Sequence, residues 1–346
     1  MTDRARIDAF FDRFVGLTAG AAALGILAVA DRCGMLAWLG KNGGGTAGEI
    51  ATGTGLDRRY TEEILAGLTA AGILEHHDGV FTLPAEHALF VSDPGSPYYM
   101  GGWFDMLSAG YAVIDRVATA AREGGGVAFD DFPPEMLRGL DRANGPSQRI
   151  LITRKWLPAV AGLVARLEEG ADVADVGCGT GTAVITMAQA YPASRFTGFD
   201  FSEEALALAR ERGEALDNVD FVHAGAADFP GEYDLITTFD VVHDLADPAA
   251  ALRHIREALR PEGVYLMMEP NMSSDLDDNI HDNGVINYGI SLLHCMTQSL
   301  AIGGAGLGAG WGRRRAEEMA REAGFSAFQP LTEITNRFSA FYVLRP

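Results

Sequence analysis

The chain has 346 residues, with 47 acidic side chains against 27 basic ones and a formal net charge of −20. That balance argues against nucleic acid or an anionic membrane surface as the main partner, since both are bound by clustered lysine and arginine. Hydrophobic residues make up 48% of the chain, enough for a sizeable core and too many for global disorder. The length predicts two domains or one large one. Three cysteines, Cys33, Cys178 and Cys295, cannot build a disulfide framework. No Cys-x-x-Cys or His/Cys ligand spacing occurs, so no metal is expected, and the reduced cytoplasm is the expected compartment. The N-terminus is charged and amphipathic and has no signal-peptide core. The apolar stretch Val15–Ala30 is about one residue short of the lower limit for a membrane span and rich in Gly and Ala. It predicts a helix buried in a core or a dimer seam, with no membrane involved.

The first half reads as helices. Residues 7–15 and 17–30 have helical spacing, and Cys33–Leu39 is a short third piece before the break at Gly43–Gly45. Thr46 and Glu49 have capping-box spacing and open a short helix to about Ala51. Asp57 caps a helix over Arg58–Ala71, with Tyr60, Ile64, Leu65 and Leu68 on its inner face, and Gly72 ends it. Ile73–Gly79 and Val80–Leu83 read as a hairpin turning at Asp78-Gly79. Three helices and a hairpin, in that order, predict a winged helix. Residues 98–122 and 146–168 read as further helices.

From about residue 170 strands and helices alternate. Val173–Val176, Arg195–Gly198, Asp220–His223, Leu235–Phe239 and Val264–Met268 are the strand candidates. Ala183–Ala190, Glu203–Glu214 and Pro248–Leu259 are the helices between them. This alternation predicts a parallel α/β sheet with helical crossovers. Phe328–Thr335 and Phe338–Leu344, separated by Asn336-Arg337, predict a closing antiparallel hairpin. The expected domains are 1–145, helical with the winged helix, and 146–346, the α/β domain.

The first α/β strand runs into Asp175-Val-Gly177-Cys-Gly179-Thr180-Gly181. Glycine there permits a sharp turn and close approach to a ligand at the C-terminal edge of the sheet. The dinucleotide pattern fails, because its third position falls on Thr182, and a Walker lysine is lacking. The loop resembles the first motif of class I S-adenosylmethionine (SAM)-dependent methyltransferases. That resemblance implies a Rossmann-like seven-stranded sheet with a C-terminal antiparallel hairpin, and SAM as cofactor with S-adenosylhomocysteine (SAH) as product. It places Asp175, Gly177, Gly179, Thr180 and Gly181 at the cofactor. Asp200, nineteen residues after Gly181, falls where these enzymes hold the ribose hydroxyls, and Phe201 would flank the adenine. The adenine-contacting Gly-Asp pair of the family reads Gly225-Ala226 here, so Ala227-Asp228 is the substitute, and Asp240, at the end of the fourth strand, is a further expected cofactor contact.

In small-molecule O-methyltransferases with an N-terminal winged helix, a His-Asp pair follows the fourth strand, and its histidine is the base. His243 and Asp244 match that place, although the family's tryptophan two residues on is Leu245. A neutral hydroxyl is a poor nucleophile, and a histidine titrating near the working pH can take its proton. Glu269 would orient the imidazole or bind the acceptor. The segment 271–312 would cover the acceptor, with its glycine run Gly303–Gly312 a mobile lid or a close backbone crossing. Trp103, Tyr111, Tyr288 and His294 are the candidate acceptor contacts.

With the helical half included, the resemblance to bacterial winged-helix class I methyltransferases spans nearly the full chain. It implies a small, aromatic or heteroaromatic methyl acceptor in secondary metabolism, methylated at O with N or C as alternatives. Some relatives are called transcriptional regulators, so a DNA-binding or SAM-sensing protein is the competing reading. Residues 1–90 carry seven Lys/Arg against eleven Asp/Glu, and Arg58-Arg59 is followed by Glu62-Glu63, which argues against DNA. Homodimerisation through the N-terminal helices is expected instead, because those helices would otherwise expose a large apolar face.

Overall fold

The structure, a computed structural model, describes residues 2–346. It divides into two compact units, Met1–Ser108 with Arg138–Pro146, and Ala109–Leu137 with Ser147–Pro346. The division differs from a single cut after residue 145, because residues 109–137 group with the C-terminal unit. The physical reason is local. Val127 N donates to Thr297 O and Thr297 Oγ1 at 3.2 and 3.0 Å, and Gly126 crosses so close that a Cβ there would lie 1.8 Å from Thr297 O.

In the first unit, α1 (Arg4–Arg32) is one continuous helix where two were expected, since Gly16 interrupts neither the hydrogen bonding nor the packing. At 29 residues it is long and apolar enough, by length and composition, to cross a membrane, which corrects the length read from its apolar stretch alone. Only Leu27, Ala28 and Ala30 of this helix are buried, whereas Phe10 and Phe11 are each 65% exposed. α2 (Met35–Asn42) and α3 (Ala47–Thr54) follow, and the Thr46–Glu49 capping box is present in full. Asp57 caps α4 (Arg58–Ala70) by accepting from the N–H groups of Arg59 and Tyr60. β1 (Gly44–Thr46), missed in the sequence, pairs with β3 (Val80–Thr82), which also pairs with β2 (Glu75–His77). Three residues per strand leave too short an alternation to detect. Met35, Leu36, Leu39, Ile50, Leu65 and Leu68 are fully buried between these elements.

Asp105, 1% exposed, ties this unit together. It accepts from Arg138 Nε and Nη2 at 3.1 and 2.8 Å and from Arg142 Nη1 at 2.7 Å, and Arg142 also bonds Asp31 and the Tyr99 hydroxyl. Burial alone would raise the carboxyl pKa, but Arg138 and Arg142 outweigh it and hold it below the ordinary value. Asp105→Asn is expected to cost about 2 kcal/mol, less than for a fully buried pair because the arginines are partly solvated. The check is the urea midpoint. The difference from wild type should shrink as pH falls through the carboxyl's folded pKa, where the wild-type group also becomes neutral.

The second unit is a seven-stranded sheet in the order β6-β5-β4-β7-β8-β10-β9. β4 (Asp172–Val176), β5 (Arg195–Asp200), β6 (Val219–His223), β7 (Tyr233–Phe239) and β8 (Leu259–Pro270) are parallel, and β10 (Ser339–Arg345) is antiparallel to β8 and to β9 (Ala327–Pro330). Crossover helices Thr182–Ala190, Glu203–Gly213 and Pro248–Ala258 match the expected ranges within a residue or two. Strand residues alternate between two cores. Val173, Leu235, Val264, Leu266 and Phe341 enter one, while Ala174, Ile236, Tyr265, Met267 and Tyr342 enter the other. Helices therefore cover both faces, and ligands are left the C-terminal edge. The final hairpin differs from expectation. β9 ends at Pro330, and Leu331–Phe338 forms a longer connection in which Leu331 and Ile334 plug the core.

Candidate active site

The glycine loop leaves β4 with Gly177, Gly179 and Gly181 at φ of 71°, 54° and 81°. Two of these positions are also sterically closed. A Cβ on Gly177 would lie 2.6 Å from Val241 Cγ2, and one on Gly181 would lie 2.9 Å from the Phe221 ring. At Gly179 no atom lies within 4 Å of that position, so the middle of the loop faces open space.

Asp200 ends β5 beside the loop and organises it. Its carboxylate accepts from Gly179 N at 2.8 Å and from Ser202 N at 2.9 Å. Burial raises its pKa, although the backbone N–H groups of Ser202 and Gly179 oppose the shift. Phe201, the next residue, is 64% exposed. Asp228 bonds the Gly225 amide at 2.8 Å in a local turn, and both Ala227 and Asp228 are exposed.

Two expected cofactor contacts are placed differently from the loop glycines. Asp175 is 2% exposed and bonds Thr237 Oγ1 at 2.7 Å beneath the loop, so its influence on a ligand runs through the loop backbone. Burial pushes its carboxyl up to about 7. Thr180 Oγ1 accepts from Arg212 at 2.7 Å, which fastens the loop to the helix Glu203–Gly213.

After β7, Asp240 adopts a left-handed φ of 59°, bonded to Met268 O on β8 at 2.9 Å. The chain then makes a short 3-10 turn, Val242–Asp244, which buries His243 to 3% exposure. Glu269, 1% exposed near the end of β8, holds that turn. Its Oε1 accepts from Val242 N at 2.9 Å, and its Oε2 accepts from His243 Nδ1 at 2.7 Å and from Trp311 Nε1 at 3.2 Å. The ring orientation is fixed, with Nδ1 carrying its hydrogen to a carboxylate and Nε2 turned away from it. Asp244 Oδ1 lies 3.0 Å from Nε2. Burial disfavours a charged imidazole, but Asp244 and Glu269 outweigh it and hold the pKa of His243 well above the ordinary value. Burial also drives Asp240 up to about 7, with Glu269 and Asp244 adding to the rise and His243 opposing it.

The segment after β8 packs against this turn. A one-turn π-helix, Ser291–Cys295, buries His294 and Cys295. Cys295 Sγ joins the ring of His243 and the carboxylate of Asp244 in one cluster, with ligand atoms within 4.8 Å of one another. The glycine run is a close backbone crossing rather than an open lid. Ala305 N donates to Ala246 O at 2.8 Å and Gly308 N to His243 O at 3.2 Å, and a Cβ on Gly304 would lie 2.5 Å from Ala246 Cα. Trp311 ends that run, and its bond to Glu269 had no signal in the sequence beyond the unusual tryptophan among glycines.

The structure brings His243, Asp244, Glu269 and His294 together. Tyr288 bonds Asn279 through its hydroxyl at 3.0 Å, Tyr111 is 46% exposed, and Trp103 belongs to the other compact unit. Sequence reasoning missed Cys295, Trp311, Phe129 and Phe132, whose approach to the site depends on long-range folding.

Residues 167–324 match the family model described as a methyltransferase domain, and residues 20–93 match the Rv2258c-like winged HTH domain. The chain carries a class I methyltransferase domain behind an N-terminal winged helix. A 37.1 kDa uncharacterized protein in transposon TN4556 of Streptomyces fradiae is 33% identical to this chain over 175 residues, 49% of each. The chain spans about half or less of the length of the curated relatives it matches. Among solved structures, the mitomycin 7-O-methyltransferase MmcR aligns with 99% of this chain and 100% of its own, at a TM-score of 0.73 and 19% identity. CalO1, a methyltransferase in calicheamicin biosynthesis in its SAH-bound form, covers 100% of both chains at a TM-score of 0.71 and 20% identity. At these identities the likeness is one of fold.

Proposed function

We propose that this chain transfers a methyl group from SAM to a hydroxyl of a small aromatic or heteroaromatic molecule of bacterial secondary metabolism, with His243 as general base. The observation that carries this reading is the buried His243–Glu269 pair, held at the same sheet edge as the open glycine loop. The SAH-bound CalO1 and the 7-O-methyltransferase MmcR, which share the fold, support the cofactor and the oxygen acceptor.

The residues fit the cofactor. Open space at Gly179 would admit the methionine end, the Asp200 carboxylate beside it would hold the ribose hydroxyls, and the exposed Phe201 would flank the adenine. Ala227 and Asp228 would border the adenine, and Asp240 would lie on the side of the catalytic turn. SAM supplies a methyl group on a sulfonium, an electrophile that needs no further activation. The task left to the protein is to place the nucleophile in line and remove its proton. Glu269 presents Nε2 of His243 for that proton, and Asp244 stabilises the imidazolium that results.

The N-terminal unit is proposed to form a homodimer through α1, whose Phe10, Phe11 and Phe14 are exposed. A small-molecule acceptor in the cytoplasm, and neither nucleic acid nor membrane, completes the reading. Arg58 and Arg59 of α4 are each ion-paired with a glutamate one turn on, Glu62 and Glu63, so they are engaged by acids rather than poised for phosphates. Calorimetry with SAM on the full chain is the test. One site per chain is expected, with a stabilisation of about 2.7 kcal/mol at a hundredfold excess over Kd. No heat and no thermal shift would sink the reading. Retention of genomic DNA fragments at moderate salt would favour the regulator instead.

A further inference from the structure

Among the described residues, two buried side-chain polar atoms make no hydrogen bond: Asp244 Oδ1, which is ion-paired with His243 Nε2 at 3.0 Å, and His294 Nδ1, which has no polar partner. Both belong to the cluster around His243. A buried polar atom left unsatisfied costs about 1–3 kcal/mol. His294 Nδ1, unsatisfied next to the proposed base and the Asp244 carboxylate, indicates a ligand with a complementary group.

The surroundings say what kind of ligand. The His294 ring packs edge-on against Phe132 at 5.3 Å and tilted against Phe129 at 6.0 Å. Phe129 in turn stands edge-on to Phe201 at 6.3 Å. An aromatic line thus runs from the proposed adenine neighbour to His294, whose Nδ1 is its unpartnered polar atom. A carboxylate oxygen only accepts, so the group meeting Asp244 must donate. A neutral imidazole nitrogen accepts or donates according to tautomer, and a hydroxyl or primary amine satisfies either. Burial holds the pKa of His294 below the ordinary value, which favours the neutral ring.

We propose that His294 is a specificity-determining residue, and that the methyl acceptor is an aromatic molecule carrying a second hydroxyl or primary amine that hydrogen-bonds His294 Nδ1. The hydroxyl to be methylated faces His243 and Asp244, and the second group fixes the ring's orientation. This inference rests on the methyltransferase reading above. It narrows the acceptor from any small aromatic hydroxyl to one with two donor groups. A site built to hydrogen-bond a substrate group discriminates strongly against the analogue that lacks it.

The experiment uses the full chain saturated with SAH. Binding of catechol and resorcinol is compared with phenol, and 2,3- and 1,3-dihydroxynaphthalene with 2-naphthol, by calorimetry. At least one dihydroxy compound is expected to bind about tenfold tighter than its monohydroxy counterpart, the loss of roughly one hydrogen bond. His294→Phe, which keeps a ring, should erase that advantage. His294→Asn, which keeps a polar atom near Nδ1, should retain much of it. Should the phenylalanine variant fail to fold, the wild-type and asparagine measurements decide. Equal binding within every pair, no binding by any member, or an advantage that survives in His294→Phe overturns the proposal. So does tight uptake of one zinc ion per chain that excludes the dihydroxy compounds and is reversed by EDTA, since His294 Nδ1 and its neighbours would then belong to a cation. If SAH itself does not bind, the methyltransferase reading has failed, whereas SAH binding without pair discrimination removes only this inference.

Discussion

His243→Ala is expected to slow methyl transfer to a hydroxyl acceptor by about 10²- to 10⁴-fold, the usual contribution of a positioned general base. SAM affinity should be unchanged, because the Asp200 carboxylate and the loop glycines are untouched. Single-turnover transfer from labelled SAM separates the two quantities. The pH dependence carries a further sign. His243 must be neutral to accept a proton, and Asp244 and Glu269 hold it protonated to a higher pH than an ordinary histidine. The rate at low acceptor concentration should therefore rise with pH, with an inflection above the ordinary histidine value. Asp244→Asn removes one of the two carboxylates and should move that inflection down. In folding, the same shift favours the protonated form. The stability it contributes is fully present below the unfolded histidine pKa and is lost as pH rises through the folded value. A transfer rate that survives His243→Ala would sink the base assignment and leave the cofactor site standing.

Asp200→Ala is expected to weaken SAM binding by about 10²- to 10⁴-fold, the loss of two charge-assisted hydrogen bonds at roughly 1.5–3 kcal/mol each. A second effect acts in the same direction. The carboxylate also holds Gly179 N and Ser202 N, so its removal leaves two amides of the glycine loop and the following turn without their acceptor. Asp200→Asn should fall between, since its amide oxygen can keep one of these bonds. Calorimetric titration with SAM and with SAH checks both variants. If Asp200→Ala binds SAM within about threefold of wild type, the ribose is held elsewhere.

The α/β half was legible because its signals are local. Strand, turn and helix each leave a periodic or compositional mark within ten residues. The glycines at 177, 179 and 181 mark a loop that only positive φ and close packing explain. Asp200 and His243 were singled out by the resemblance to known methyltransferases, at their places after the second and fourth strands. The first half was read less exactly. α1 continues through Gly16, and β1 is three residues long.

What the sequence determined by itself is the order of elements, hence the sheet, and the residues that parallel crossovers must carry to its C-terminal edge. Backbone periodicity and chirality leave a βαβ chain little choice in this. The tertiary structure decided which groups meet there. Glu269 touches His243 across 26 positions, Trp311 touches Glu269 across 42, and His294 comes from a separate turn beyond the sheet. None of these pairings has a periodic signature, because each follows from how a long segment folds back over β7 and β8. The pKa shifts are likewise tertiary. Asp175, Asp240 and His243 depart from ordinary values because burial removes water and the fold fixes which charges remain nearby. Net charge could be counted from the sequence, but the placement of those acids around one imidazole could not.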